Sequence, residues 1–384
     1  MFAGLPSSLD LADRGEAVET LLEQIPDRPA VFLIETRGGS PYLGRTLLLR
    51  RRLRRLLRPE TGAGRSLSLR AVAQRVHYWL VGSNLEAGLL LYELASLHFP
   101  EDYRARIKLR PPPLLKIILT NPFPRSQITS RLSAAPALYY GPFPTRAAAE
   151  NFRSRFLDLF QMRRCEEDLV PSPSHPGCIY GEMNLCLRPC QQVVSREEYR
   201  TEIERVLDFL RSQGRSLLEV LVAARERLSQ ECQFEEAARI HRRIQKIEEV
   251  LRLRGELAAD IERLHGVAVT PAAEPGFVLL WFVIAGCWQA PRRLDCRPEA
   301  ASGQSLDKRL RELVAGLAPN RPALKRREEH LALLARWFYS SARQGEWVAF
   351  ESLEAAPYRR LVRAISRLAA PRDAAGVTSS GASQ

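Results

Sequence analysis

Four cysteines stand close together in this chain of 384 residues, at positions 165, 178, 186 and 190. The stretch runs C-EEDLVPSPSHPG-C-IYGEMNL-C-LRP-C, in steps of 13, 8 and 4 residues. Thiolates are soft ligands, and four in one loop suit a tetrahedral zinc ion or an iron–sulfur cluster. Two disulfides are the alternative, and the lack of a secretory pattern speaks against them. The spacing is not the paired CxxC of a zinc ribbon, so it does not by itself choose between the two metals. A second candidate centre lies upstream. Arg50, Arg51, Arg52, Arg54, Arg55 and Arg58 crowd the segment Leu47 to Leu57, interleaved with leucines. Such a row can grip a phosphate backbone, and it is also what a basic amphipathic helix beside a hairpin looks like.

The bulk numbers frame these centres. The net charge is +13 and apolar residues make up 45% of the chain, an ordinary globular content with a basic surface that attracts polyanions. Length suggests two or three domains. The N-terminal MFAGLPSSLDLADRG lacks a basic n-region and an apolar h-region, and the run Phe277 to Ala285 is too short to span a bilayer. A cytoplasmic protein with no membrane partner is expected. Cys232, Cys287 and Cys296 read as small apolar side chains.

Several elements must position the candidate residues. Glu16 to Gln24 reads as a helix. Ala30 to Ile34 reads as a strand, Arg37 to Ser40 as a hairpin turn and Pro41 to Gly44 as a second strand, leading into the arginine helix. Glu86 to Leu94 is helical, Leu114 to Leu119 a strand, and Thr145 to Phe160 a helix with Phe152, Phe156, Leu159 and Phe160 at core spacing. Ser195 with Glu198 forms a capping box ahead of a helix carrying Tyr199, Ile203, Val206, Leu207 and Leu210 on one face. Gly214 breaks it. Two further helices, Leu217 to Glu231 and Phe234 onward through Leu251, form an antiparallel hairpin that buries too little surface to stand alone. His265 to Trp288 reads as paired strands turning near Pro271 to Pro275, with helices at Leu306 to Leu317 and Arg326 to Ser341. The tail from Ala369 is rich in Ala, Ser and Gly and reads as disordered.

The cysteine stretch, the preceding YYGPFPTRAAAENFRSRFLDLF and the following FEEAARIHRRI together resemble the UvrC family, a component of the ABC excinuclease, from about Pro29 to about Leu253. The resemblance implies a [4Fe–4S] cluster at Cys165, Cys178, Cys186 and Cys190, with zinc second. It implies that the first strand–turn–strand–helix begins a GIY-YIG nuclease domain, with Ala30-Val31-Phe32 and Tyr42-Leu43-Gly44 as its two triplets. Tyr42 and Arg52 then stand at the catalytic tyrosine and arginine positions, and Arg45 at a common basic one. In that chemistry a tyrosine hydroxyl assists attack of water on a phosphodiester, an arginine stabilises the transition state, and a glutamate holds Mg or Mn. Two positions are degenerate: Phe32 replaces a tyrosine and Leu91 the metal glutamate, while the family asparagine falls near Tyr103. Glu93 is two residues on, about 200° around the helix, and cannot simply substitute. Arg45, Arg50, Arg51, Arg54 and Arg55 are the expected DNA contacts. The hairpin resembles a UVR motif, with Phe234, Glu235, Ala238 and Arg239 facing a UvrB-like helicase partner and Phe234 as anchor.

The expected architecture is α+β and multidomain: an N-terminal segment (1–25), a small GIY-YIG-type α/β domain (26–110), a connector with the cysteine-cluster loop (111–194), a helical UVR hairpin (195–256), a small C-terminal α/β remnant of an RNase H-like domain (257–368) and a disordered tail (369–384). The expected protein is a truncated member of the family that binds DNA and a UvrB-like partner, with a retired nuclease site. Its rivals are an active enzyme making the 3′-side incision, with Glu86 or Glu93 in a rearranged metal site, and a non-catalytic adaptor whose cluster is structural.

Overall fold

The computed structural model describes residues 6–11, 18–58, 68–297 and 304–369. Glu16 and Ala17 of the first expected helix, and all of the expected disordered tail beyond Ala369, lie outside the described residues. Among the described residues the architecture is α+β, with three antiparallel sheets.

In the first module, β1 (Ser7–Asp10) and α1 (Val18–Glu23) precede the hairpin β2 (Ala30–Thr36) and β3 (Tyr42–Thr46), then α2 (Leu49–Leu56), β4 (Ala73–Leu80), α3 (Asn84–His98) and the short α4 (Tyr103–Arg106). The strand order is β1-β4-β2-β3. Strand alternation sends Ala30, Phe32 and Ile34 toward α1 and α2, where they meet Leu22, Leu49, Leu53 and Leu56. Val31 goes to the opposite face and packs on Ala87, Leu90 and Leu94 of α3.

The second module holds β5 (Leu114–Ile118), β6 (Arg125–Thr129), β7 (Ala137–Gly141), α5 (Arg146–Leu157), the cysteine loop with its one-turn α6 (Ile179–Glu182), and α7 (Arg196–Arg211), α8 (Arg215–Gln230) and α9 (Phe234–Leu253). The capping box forms as expected, with Ser195 accepting from the Glu198 N–H and Glu198 from that of Ser195. Phe152, Phe156 and Phe160 are fully buried among Phe143, Tyr140 and Phe209. Each such ring contributes roughly 2 kcal/mol of burial. Gly214 sits at φ 91 before α8, and a Cβ there would lie 2.7 Å from Leu251 Cδ1, so both the turn and the close packing of α9 call for glycine.

The third module begins with β8 (Ala259–Asp260), which joins the second sheet in the order β6-β5-β7-β8. It continues through β9 (His265–Pro271), β10 (Phe277–Ile284), β11 (Cys287–Trp288), β12 (Arg292–Asp295), α10 (Leu306–Ala315), α11 (Leu324–Phe338), β13 (Glu346–Phe350) and α12 (Tyr358–Ala369). Its sheet runs β11-β10-β9-β13, with β12 also on β10. Val267, Val269, Leu280 and Phe282 face α10 and α12. Ala268, Trp281 and Val283 face α11, and the same core takes in Leu85, Leu89 and Tyr92 of α3. So α11 lies between the third sheet and the first module. At Gly82 the approach is closest: a Cβ would lie 2.2 Å from the backbone carbon of Ala272. Among the described residues no helix is long and apolar enough to cross a membrane.

Candidate functional site

The β2–β3 register pairs Ile34 with Tyr42 and Phe32 with Gly44. It sets the Phe32 and Tyr42 rings side by side, centroids 6.0 Å apart. Helix α2 buries Leu49, Leu53 and Leu56, which orients Arg52 back over the sheet. Its Nη2 donates to the Tyr42 hydroxyl at 2.9 Å. The phenol and guanidinium singled out in the sequence therefore meet. The remaining arginines do not act as one row. Arg51, Arg54 and Arg55 are exposed, but Arg50 Nε donates to the Ile25 carbonyl at 2.6 Å and braces the end of α1. Arg50 Nε is thus engaged in a structural tie, because a part-buried donor needs a partner. Arg54 pairs at 3.5 Å with Glu23. Arg45, three residues past Tyr42, leaves β3 on the opposite face.

Leu91 packs with Val31, Leu43 and Trp79 on the α3 side of the sheet, across from Tyr42. Glu86 serves as a cap: its Oε2 accepts from the Gly82 N–H at 2.7 Å. Burial pushes its carboxyl up to about 7, against the pull of that N–H and of Arg293. Among the described residues no carboxylate is hydrogen-bonded or ion-paired to Tyr42 or Arg52. Tyr103 has another task. It and Tyr92 donate their hydroxyls to Glu329 of α11, which is 4% exposed and also takes Arg104 Nε at 2.6 Å. Burial works to raise the Glu329 carboxyl, but the Tyr103, Tyr92 and Arg104 hydrogen bonds outweigh it and hold the group below its ordinary value. Nothing local in the sequence marks Glu329, since its partners lie more than 200 residues away.

In the cysteine loop, Cys186 and Cys190 are buried, Cys165 is half-buried and Cys178 exposed. Burial pushes the Cys186 thiol up to about 11, and Cys165, Cys178 and Cys190 add to the effect, so the four share one neighbourhood. Even so, among the described residues no group of three or more Cys, His, Asp or Glu is gathered tightly enough to hold a metal ion. The surroundings nonetheless suit thiolates. Arg163, 1% exposed, donates Nη1 to Cys165 Sγ at 3.2 Å, and the Arg188 N–H points to Cys186 Sγ at 3.4 Å. Arg163 Nη2 is buried without a hydrogen-bond partner among the described residues. A fixed cation and N–H donors beside sulfur are what a set of four negative ligands requires. Sequence reasoning misses Arg163, although its place two residues before Cys165 is a signal.

The helical hairpin is α8 with α9. Its base is fastened to its own chain, where Leu221, Ile244, Ile247 and Val250 join the core of α5 and α7. Its tip is bare: Phe234 is 65% exposed, and Glu235, Ala238 and Arg239 are also exposed. Arg239 pairs with Glu236 along the helix. Cys232 is likewise exposed at the tip, at φ 59, which corrects its reading as an apolar side chain; Cys287 is buried as expected.

Comparison with known proteins bears on these sites. Residues 113–209 match the middle domain of the UvrC/Cho excinucleases. The chain is 28% identical over 271 residues to the UvrABC system protein C of Moorella thermoacetica, covering 70% of this chain and 44% of that protein. It is 29% identical over 231 residues to that of Methanothermobacter thermautotrophicus (60% and 38%), and 29% over 244 residues to that of Escherichia fergusonii (62% and 39%). The chain spans less than half the length of these relatives. No solved structure matches it. The matched middle domain contains the phenylalanine-rich α5, all four cysteines and most of α7, and over this part the chain is similar to the UvrC/Cho excinucleases.

Proposed function

We propose that the chain works in nucleotide excision repair in the cytoplasm, binding DNA through a GIY-YIG-type module that no longer cuts and a UvrB-like partner through the α8–α9 hairpin. The observation carrying this reading is the position of Leu91. It is packed against Leu43 and Val31, while Glu86 is consumed as a cap on Gly82. A site without a carboxylate for Mg or Mn keeps only the means to grip a phosphate. Arg51, Arg54 and Arg55 remain exposed for that purpose. The bare tip of the α8–α9 hairpin supports the partner assignment, since an exposed aromatic beside mixed charge is the usual form of an interface anchor. Cys165, Cys178, Cys186 and Cys190 would hold the [4Fe–4S] cluster, or zinc, with Arg163 and the Arg188 N–H bonding to sulfur. Such a group would brace the loop and supply no step in hydrolysis.

Incision of a lesion-bearing duplex with UvrB and Mg or Mn tests the reading, using wild type, Arg52→Ala and Leu91→Glu. No cutting is expected from wild type, nor from Leu91→Glu, whose side chain would lie across the sheet from Tyr42 and Arg52. The preserved Tyr42–Arg52 bond favours one second reading, an active 3′-side nickase. Wild-type cleavage abolished by Arg52→Ala would establish that reading and end the first.

A further inference from the structure

Between α3 and the C-terminal half of α11 lies a cavity of about 470 Å³. Its walls include Arg45 from β3, Leu91 from α3, Arg106 and Lys108 from the end of α4 and the segment beyond, and Arg336 and Arg343 from α11 and the turn after it. Five cations line it, and no Asp or Glu does. Some of these cations are fixed in place. Arg336 donates to the carbonyls of Ile107 and Lys108, Arg106 pairs with Asp102 at 2.7 Å, and Arg343 lies 4.7 Å from the Phe338 ring. Others are free: Arg45 and Lys108 are exposed, and their side chains make no hydrogen bond or ion pair among the described residues. The rim is closed between modules, with the Asn84 N–H donating to Gln344 Oε1 at 3.0 Å.

Folding brings these charges together, and of the five Arg106 is compensated, by Asp102. The Arg336 guanidinium is held below its ordinary value by burial and then by the like charges of Arg45 and Arg110. A preformed concave surface of one sign attracts the opposite one, and guanidinium forks match phosphate oxygens. A second cavity of about 430 Å³ adjoins the first, sharing Arg45 and Asn84, and its walls also lack carboxylates. Through that shared wall the carboxylate-free space extends beyond the first cavity, and each cavity alone is larger than a single small anion.

We infer that this space is a metal-free phosphate site, assembled jointly by the first and third modules, that seats the phosphodiester backbone of a nucleic-acid strand. This rests on the DNA-binding reading above and adds to the α2 arginines a second contact, on the opposite face of the sheet from Tyr42 and Arg52. Leu91 contributes an apolar wall where a carboxylate would have neutralised the cations.

The test uses the full chain, wild type and Arg45→Ala/Lys108→Ala, with two probes. With inorganic pyrophosphate, the thermal midpoint of wild type should rise with concentration and that of the double variant should not. Without any anion, the variant should melt at the same or a higher temperature, because two repelling charges are gone; a merely structural role for these residues would lower it. With a short single-stranded oligonucleotide, the variant should bind at least about tenfold more weakly, with a salt slope smaller by about 1.4 for two lost contacts. EDTA should change neither affinity. Equal pyrophosphate responses in the two proteins would overturn the site, whatever the protein does with DNA. A pyrophosphate response confined to wild type, with no oligonucleotide bound by either, would overturn the nucleic-acid occupant and the DNA reading while leaving the phosphate site. Dependence of wild-type binding on Mg would overturn the claim that it is metal-free.

Discussion

The first sheet has two faces in different use. On the α2 face, Arg52 rests on Tyr42 through one hydrogen bond, and Arg51, Arg54 and Arg55 stand in water. On the α3 face, the third module is docked, and a single carboxylate, Glu329, takes three donors from two elements of the first module. An open face can leave its polar groups to solvent. A covered face must pair each one internally, since an unpaired buried group costs on the order of 1–3 kcal/mol. The open face can therefore change its chemistry at little cost in stability, whereas the covered face ties chemistry to folding.

Glu329→Ala presses hardest on that contrast. It strands two tyrosine hydroxyls and Arg104, and should cost about 3 kcal/mol in urea unfolding, the low end for a broken buried pair because Arg104 stays partly in water. A loss below about 1 kcal/mol would erase the distinction between the faces. Next comes pH, where two carboxylates of the covered face pull in opposite directions. Glu86 has its folded value raised to about 7, so between its ordinary 4.5 and 7 the folded state holds the extra proton, and stability falls as pH rises, by at most about 1.4 kcal/mol per pH unit. Glu86→Gln should flatten that fall; an unchanged profile would refute the assignment. Glu329 is lowered, so its contribution is present above 4.5 and is lost as pH drops below that value. On the open face, Arg52→Ala should cost about 1 kcal/mol or less, the worth of one part-buried hydrogen bond. The hairpin tip supplies the smallest stability effect: Phe234→Ala should shift unfolding by less than about 0.5 kcal/mol yet abolish pull-down of UvrB. Retained pull-down would remove Phe234 as the anchor.

The open face is far more legible in the sequence than the covered one. The β2–β3 hairpin and the arginine helix announce themselves through local turn residues and helical spacing, as do the capping box and the α8–α9 hairpin of the second module. Strand β4 does not. Its AQRVHYWL mixes exposed Gln74 and Arg75 with a single fully buried Val76, so no alternation marks it, although it pairs with both β1 and β2. Strand β13 pairs with β9 from about 80 residues away, out of reach of any window. Helix α11 is legible as a helix but not as a core one. Arg327, Glu329 and His330 are buried in it, and charged residues ordinarily signal a solvated face. The cysteines stand out because their type is rare, but their partner Arg163 is one arginine among many.

Glu329 and Tyr92 are separated by 237 residues. During synthesis at ordinary ribosomal speeds, α3 emerges tens of seconds before α11 exists to cover it. For that interval Leu85, Leu89 and Tyr92 have no lid, and the nascent chain carries an apolar helix face that other chains could capture. The first module can form its sheet early, but it cannot reach its mature state until α11 has left the ribosome. Synonymous changes that slow translation between α4 and α11 would therefore lengthen the vulnerable period and lower the yield of soluble protein without altering a single residue.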